Sequence, residues 1–181
     1  KKFIEEWDAL VASGSGERGI FNRQAVQDRC LADGKRDPEV LYGTNPCSEI
    51  VLAPHQFCNL TEVCIRQTDT MDAICRKVRL ASILGTIQAS FTYFPYLRSI
   101  WKETTEKEAL LGVSMTGIMD NALTNGKQKN LAPRLEMLRK IAVDTNEYYA
   151  KRLGINKAAA VTAVKPSGTV SQLCDTASGI H

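Results

Sequence analysis

The chain has 181 residues, 44% of them hydrophobic and 24% charged, enough for one domain with a sizeable core. Its net charge of +3 comes from scattered Lys and Arg with no basic block or aromatic-interleaved stripe, which favours a solvated surface suited to an anionic small molecule over a nucleic-acid platform. No run reaches roughly 18 apolar residues and no signal peptide opens the chain, so no membrane partner is expected and the cytoplasm is the default location.

Phe3, Ile4, Trp7, Leu10 and Val11 recur at helical spacing over residues 1–12, and Ser13-Gly14-Ser15-Gly16 ends that helix. Gly19 to Phe21 reads as a short strand. Asn22 suits the N-cap of a helix through Ala32, with Gly34 at its end. Residues 35–49 read as a loop, and Asn59 to Arg66 as a strand. Thr70 caps a long helix whose Met71, Ile74, Val78, Leu84, Ile87 and Phe91 form a core stripe. Pro95 and the Tyr93/Tyr96 pair mark a break, a helix covers 98–108, and Ala109 to Met115 reads as a buried strand. Residues 125–130 form a polar loop. Pro133 opens a helix carrying Leu135, Leu138, Ile141, Ala142, Thr145 and Tyr149 and ending at Gly154. Ala158 to Val164 reads as another buried strand. Strands alternating with long helices give an α/β fold.

Six cysteines (Cys30, Cys47, Cys58, Cys64, Cys75 and Cys174) contain no C-x-x-C pair, and His55 and His181 lie far apart in the sequence. A structural zinc site is therefore not expected, and in a reducing compartment the thiols read as catalytic or simply buried. Asn45-Pro46-Cys47-Ser48-Glu49 carries the densest chemistry, with an amide, a thiol and a carboxylate on alternate positions. In an extended segment those three side chains project to one side. Lys165-Pro166-Ser167-Gly168-Thr169 is not a P-loop of the G-x-x-x-x-G-K-[ST] type. It still joins a predicted strand to a helix beginning near Thr169, where free N–H groups and the helix dipole attract phosphate.

Thr44-Asn45-Pro46-Cys47-Ser48-Glu49-Ile50, Phe57-Cys58-Asn59-Leu60-Thr61-Glu62-Val63 and Lys165-Pro166-Ser167-Gly168-Thr169, in that order, resemble the catalytic subunit of ribonucleotide reductases. The wording is that of the adenosylcobalamin-dependent (class II) enzymes, particularly the monomeric ribonucleoside-triphosphate reductase branch. Gly19-Ile20-Phe21-Asn22-Arg23 and Gly112 to Asp120 extend the likeness along the chain. Relatives are several times longer, so the resemblance marks residues 1–181 as a fragment of the catalytic barrel domain, lacking N- and C-terminal parts of the same subunit.

The resemblance implies about the second half of a ten-stranded α/β barrel, with a finger loop at about 43–58 carrying the radical cysteine and a phosphate loop at about 165–171. It implies a thiyl radical on Cys47 that abstracts the ribose 3′-hydrogen, Glu49 as general base on the 3′-hydroxyl, and Asn45 as the amide orienting the ribose. Cys58 becomes one member of the reducing pair, its partner lying in the absent N-terminal half, and Ser167, Gly168 and Thr169 hold the substrate's phosphates. Adenosylcobalamin, bound mainly elsewhere in the full-length protein, is the implied cofactor. A ribonucleotide, most specifically a triphosphate, is the implied substrate, and a thioredoxin-like dithiol the reductant. The isolated 181 residues are expected to be inactive.

Cys30, Cys64, Cys75 and Cys174 read as small buried hydrophobes, His55 as a turn residue rather than a cobalamin ligand, and Tyr93, Tyr96, Tyr148 and Tyr149 as core packing. No metal is expected. Two alternatives stand beside the leading reading: a class I reductase large-subunit fragment, and a non-catalytic nucleotide-binding module that needs a complementary chain.

Overall fold

The computed structural model describes residues 2–15 and 19–179; the expectations that fall on Lys1, Gly16, Ile180 and His181 lie outside them. The chain divides into two compact units, residues 1–39 and 40–181.

In the first unit, α1 (Lys2–Ser13) contains no buried residue. Helix α2 (Arg23–Asp33) is capped as its sequence predicts. The Asn22 side chain accepts from the Ala25 N–H at 3.1 Å, and Gly34, at φ 61°, donates its N–H to the Cys30 carbonyl. Gly19 to Phe21 is not a strand: it pairs with nothing, and Ile20 is exposed.

The second unit begins with a two-residue ladder, β1 (Gly43–Thr44) antiparallel to β2 (Val51–Leu52). Strand β3 (Asn59–Cys64) then leads through α3 (Met71–Ala89) and α4 (Ser99–Glu108) to β4 (Leu111–Thr116). β3 and β4 are parallel, with Leu60 opposite Gly112, Glu62 opposite Ser114 and Cys64 opposite Thr116. Parallel neighbours need a crossover of this length, and helices supply it. Helix α5 (Leu131–Leu153) follows, and α6 (Gly168–Cys174) closes the order.

Period-two alternation splits the ladder into two faces. Val63, Leu111 and Val113 point to a core completed by Ile74, Val78 and Ala81 of α3 and Leu138 and Ala142 of α5. The other face carries Leu60, Glu62 and Cys64 against Gly112, Ser114 and Thr116.

Three expectations need correction here. On α3 the stripe fails at its C-terminal end: Leu84 and Phe91 are exposed at 62% and 71%. The buried residues there are Ser82, Gly85, Thr86 and Ala89, because the helix runs too close to its neighbours for large side chains. A Cβ at Gly85 would already lie 3.2 Å from Leu111. Buried Asn146 of α5 instead donates to Thr86 Oγ1 at 3.0 Å and accepts from the Ala158 N–H, satisfying the polar groups that such close packing encloses.

Ala158 to Val164 runs beside β4 but forms only one parallel bridge, Val113 to Thr162. The Leu111 and Val113 N–H groups reach the adjacent carbonyls of Ala160 and Val161, so the register slips and no regular strand develops. Tyr93, Tyr96 and Tyr148 are not core residues either, and Tyr149 is only half-buried. Tyr93, Tyr96 and Tyr148 are 87%, 98% and 56% exposed; the first two lie on the loop after α3, and Tyr148 packs edge-on against Tyr149 on α5.

Smaller shifts concern ends. Helix α5 starts at Leu131, two residues before Pro133, behind Asn130 in the left-handed region at φ 72°, and α6 starts at Gly168 rather than Thr169. The described residues thus form an α/β segment.

Candidate active site

Asn45 to Ile50 forms the tip of the β1–β2 hairpin. The Asn45 N–H donates to the Ile50 carbonyl at 3.2 Å and Ser48 N–H to the Asn45 carbonyl at 3.0 Å. The Asn45 side-chain oxygen accepts from the Ile50 N–H at 3.0 Å. Pro46 presets its own φ, and Ser48 turns the chain at φ 63°. The tip is therefore a folded turn and not the extended segment that a shared face requires. Its three side chains part company: the Asn45 amide braces the turn, Cys47 is exposed, and the Glu49 side chain is only 4% exposed.

Glu49 points toward the Lys165–Thr169 loop. Its Oε1 lies 3.4 Å from Lys165 Nζ, across 116 positions of sequence. Its Oε2 is buried and has no hydrogen-bond partner among the described residues, an arrangement that needs a reason, since an unpaired buried carboxylate oxygen is costly. The Lys165 backbone N–H donates to Ser114 Oγ at 3.1 Å, and that hydroxyl donates to Glu62 Oε1 at 3.3 Å. Burial raises the Glu62 carboxyl above its ordinary range, opposed by the Ser114 hydrogen bond and the Lys165 charge.

Cys58 leads into β3 and shares a spot on the sheet with the hairpin. A Cβ at Gly112 would overlap Leu60 Cδ2 and would lie 3.3 Å from Ile50 Cδ1 and 3.4 Å from Cys58 Sγ. The glycine therefore makes room on β4 first for Leu60, with Ile50 of the hairpin and the Cys58 thiol close beside it. Strand alternation carries the series on through Leu60, Glu62 and Cys64.

In the Lys165–Thr169 loop, Ser167 takes the left-handed conformation at φ 49°. It is 2% exposed, and its hydroxyl donates to Thr116 Oγ1 at 2.8 Å. The Ser171 hydroxyl is likewise committed, to the Gly168 carbonyl. Gly168 and Thr169 are exposed, with nothing within 4 Å of a Cβ built at Gly168. Residues 176–179 clasp the loop: the Ala177 carbonyl accepts from Gly117 N–H and Thr116 Oγ1, and Gly179 N–H reaches the Pro166 carbonyl.

Among the remaining thiols, Cys30 is buried and Cys75 half-buried. Cys64 and Cys174 are neighbours. Burial, then the adjoining Cys174 thiol, pushes Cys64 up to about 11, so it stays protonated near neutrality. No disulfide and no metal-holding cluster occurs among the described residues. His55 adopts φ 59° and its Nε2 lies 2.9 Å from an Arg98 guanidinium nitrogen. Arginine only donates, so the His55 ring nitrogen is the acceptor there; the ring also packs edge-on to Trp101. A polar cleft of about 720 Å³, lined in part by Arg66, Asp120, Gln172 and Asp175, takes in Ser171 at the end of the predicted phosphate loop but none of Asn45, Cys47, Glu49, Cys58, Ser167, Gly168 or Thr169.

The structure thus brings Glu49 to Lys165 and the hairpin's Ile50 to Cys58, and it exposes Cys47, Gly168 and Thr169. Sequence reasoning missed Glu62 and Ser114. The signal was present in the alternation of Cys58, Leu60, Glu62 and Cys64, which puts Glu62 on the same face as a predicted site cysteine.

No family model matches the chain. It is 30% identical to adenosylcobalamin-dependent ribonucleoside-triphosphate reductases from Lactobacillus delbrueckii subsp. bulgaricus and Lactobacillus leichmannii, over 94% of this chain and 27% of theirs. The counterpart from Lacticaseibacillus paracasei is also 30% identical, over 96% of this chain and 26% of its own. The chain therefore spans about a quarter of the length of the curated relatives it matches. A crystal structure of a B12-dependent (class II) ribonucleotide reductase superposes with a TM-score of 0.60 and 28% identity, covering 82% of this chain and 23% of that one. No helix among the described residues is long and apolar enough to cross a membrane. Over almost its entire length, this chain is homologous to a segment of the adenosylcobalamin-dependent (class II) ribonucleotide reductases.

Proposed function

We propose that this chain is the part of a ribonucleotide reductase catalytic subunit that carries the radical cysteine and the substrate's phosphate loop, and that the whole subunit reduces ribonucleoside triphosphates to 2′-deoxyribonucleotides. The carrying observation is the contact between Lys165 and Glu49, which ties the Asn45–Glu49 hairpin to the Lys165–Thr169 loop across 116 positions. The reading makes the hairpin the finger loop and the β3–β4 ladder part of the ten-stranded barrel.

In this reading Cys47, exposed on the hairpin tip, becomes the thiyl radical that abstracts the 3′-hydrogen. Glu49 Oε2, buried and unpartnered, accepts the 3′-hydroxyl proton, which helps the 2′-hydroxyl leave as water; such assistance is worth about 10²–10⁴-fold. Asn45 holds the ribose. Cys58 supplies electrons together with a cysteine outside this chain, and a thioredoxin-like dithiol restores the pair. Gly168 and Thr169 receive the phosphates at the loop that buried Ser167 shapes, with Lys165 beside them. Adenosylcobalamin, when bound, supplies the one-electron oxidising equivalent that makes a thiol into a thiyl radical. The exposed sulfur of Cys47 fits such an approach from outside, and the residues that grip the cofactor are assigned to the rest of the subunit.

The test is turnover by the full-length protein with adenosylcobalamin, a dithiol and a ribonucleoside triphosphate. Cys47→Ala is expected to abolish deoxyribonucleotide formation while nucleotide binding persists. Wild-type turnover in that variant refutes the radical assignment.

A further inference from the structure

Cys58 hangs between two fixed points. One position after it, Asn59 donates twice to the Leu110 carbonyl, from its backbone N–H at 2.9 Å and from Nδ2 at 3.1 Å. Two positions before it, Gln56 is 5% exposed, and its partner Glu108 is 8% exposed. Gln56 Nε2 donates to Glu108 Oε2 at 2.6 Å and toward the Thr104 carbonyl at 3.5 Å. Phe57, between Gln56 and Cys58, stacks on Trp101 of α4. Both anchors thus sit within residues 108–110, where α4 passes into β4, 52 and 51 positions away in the sequence. The other end of the Gln56 amide faces the hairpin: its Oε1 accepts from the Ala53 N–H at 2.8 Å, one residue beyond β2. Closing the 53–56 turn takes only that local bond. The bond to Glu108 fixes where the turn sits, and a short contact to a carboxylate is of the stronger kind.

We infer that Gln56 is a positioning residue: by holding Ala53 on one side and Glu108 on the other, it keeps the Cys58 thiol and the base of the Cys47 hairpin in one frame. The inference rests on the reading of Cys47 and Cys58 as two sulfurs that serve one ribose. A misplacement of about 1 Å costs a catalytic group about a hundredfold, so thiols carried on two different segments need a rigid link. A hydrogen-bonded amide supplies it, because its donors and acceptor have preferred directions. An apolar side chain of equal length fills the same space but lets the turn slide along α4.

The experiment uses the full-length protein with Gln56→Met, Gln56→Glu and the exchange Gln56→Glu with Glu108→Gln. The kcat of Q56M is expected to fall by about tenfold to a hundredfold, as for a misplaced catalytic group, with KM for a ribonucleoside triphosphate changing much less. Alkylation by iodoacetamide, followed residue by residue by mass spectrometry, is expected to change its rate at Cys58 and not at Cys75 on α3. A merely structural role moves both thiols together through general loosening. Q56E sets two carboxylates against each other, and they tolerate one another only by sharing a proton, so its kcat is expected to fall further as pH rises. In the exchange variant the amide and the carboxylate trade places, the Ala53 N–H keeps an acceptor, and kcat is expected to recover most of the loss without that pH dependence. Should Q56M fail to fold, Q56E and the exchange variant carry the test. A Q56M kcat at the wild-type level, a Cys58 rate that stays put or moves in step with that of Cys75, or an exchange variant no better than Q56E overturns the inference. Should the wild-type protein not reduce ribonucleotides at all, the proposed function fails, whereas the Cys58 alkylation rate in Q56M still decides this point.

Discussion

Gly179→Ala tests whether the 176–179 clasp sets the geometry of the Lys165 loop. A methyl group at Gly179 would lie 2.0 Å from the Lys165 carbonyl oxygen, 3.2 Å from the Lys165 carbonyl carbon and 3.3 Å from the Met115 carbonyl oxygen. All three neighbours are backbone, so no side chain can rotate away. Non-bonded heavy atoms prefer about 3.5 Å, and the loop and clasp must part by about 1.5 Å. That displacement puts two bonds at risk, Gly179 N–H to the Pro166 carbonyl and Lys165 N–H to Ser114 Oγ. Each is worth about 0.5–1.5 kcal/mol net, and overpacking a tight site costs about 1–3 kcal/mol. The expected loss is about 2–6 kcal/mol, measured as the drop in urea midpoint at constant slope. Nucleoside triphosphate affinity, measured by calorimetry, is expected to fall as well, because Lys165 moves with its backbone. A loss below about 0.5 kcal/mol, the range of ordinary surface changes, with affinity unchanged, refutes the reasoning.

Gly168→Ala meets open space, so its thermal midpoint should stay put while nucleotide affinity drops if phosphate approaches that backbone closely; unchanged affinity argues against the phosphate loop. Ile74→Ala, at a fully buried position, should cost about 2–5 kcal/mol, whereas Leu84→Ala, 62% exposed, should stay within about 0.5 kcal/mol; urea unfolding of both separates the real core stripe from the predicted one. Burial pushes the Asp69 carboxyl up, but the Lys77 ammonium at 2.5 Å and the Arg66 N–H hold it below its ordinary value. Its folded form binds a proton less readily than its unfolded form, so it adds stability above the unfolded value of about 3.9, lost as pH falls through the depressed folded one. Lys77→Met should flatten that acid limb in a pH series of unfolding free energies, and an unchanged limb refutes the assignment.

The helices were legible because their signals are local. Asn22 and Thr70 bond their own third residues onward, and Gly34 and Gly154 turn left-handed to end α2 and α5. What the sequence hid depended on distance in the chain. Leu84 and Ile87 fit a helical stripe, yet only the closeness of α5 and β4 decides that Gly85 and Thr86 face inward instead. Ala158 to Val164 has strand composition, but slipped bonds to β4 leave it irregular. At the site, residue types and order were readable, whereas conformation was not: the turn-forming Pro46 outweighed the alternation that Asn45, Cys47 and Glu49 suggested. The partnership of Lys165 with Glu49 had no local signal.

The clasp carries a consequence for how the molecule comes into being. Glu49 meets Lys165 across 116 positions, and the loop bearing Lys165 is fastened by Gly179, further along still. Contacts of such separation are slow to form, because the intervening chain must be ordered before they are rewarded. A ribosome must therefore release residue 179 before the loop can be fastened, whereas the β3–α3–β4 scaffold with its α5 cover needs only what precedes Gly154. Pulse-labelled hydrogen exchange during refolding should protect the β3 and β4 amides before that of Gly179, and the reverse order would contradict this sequence of events. The proposed reactive centre is then a late product of folding, and thiols made early wait on an unfinished site.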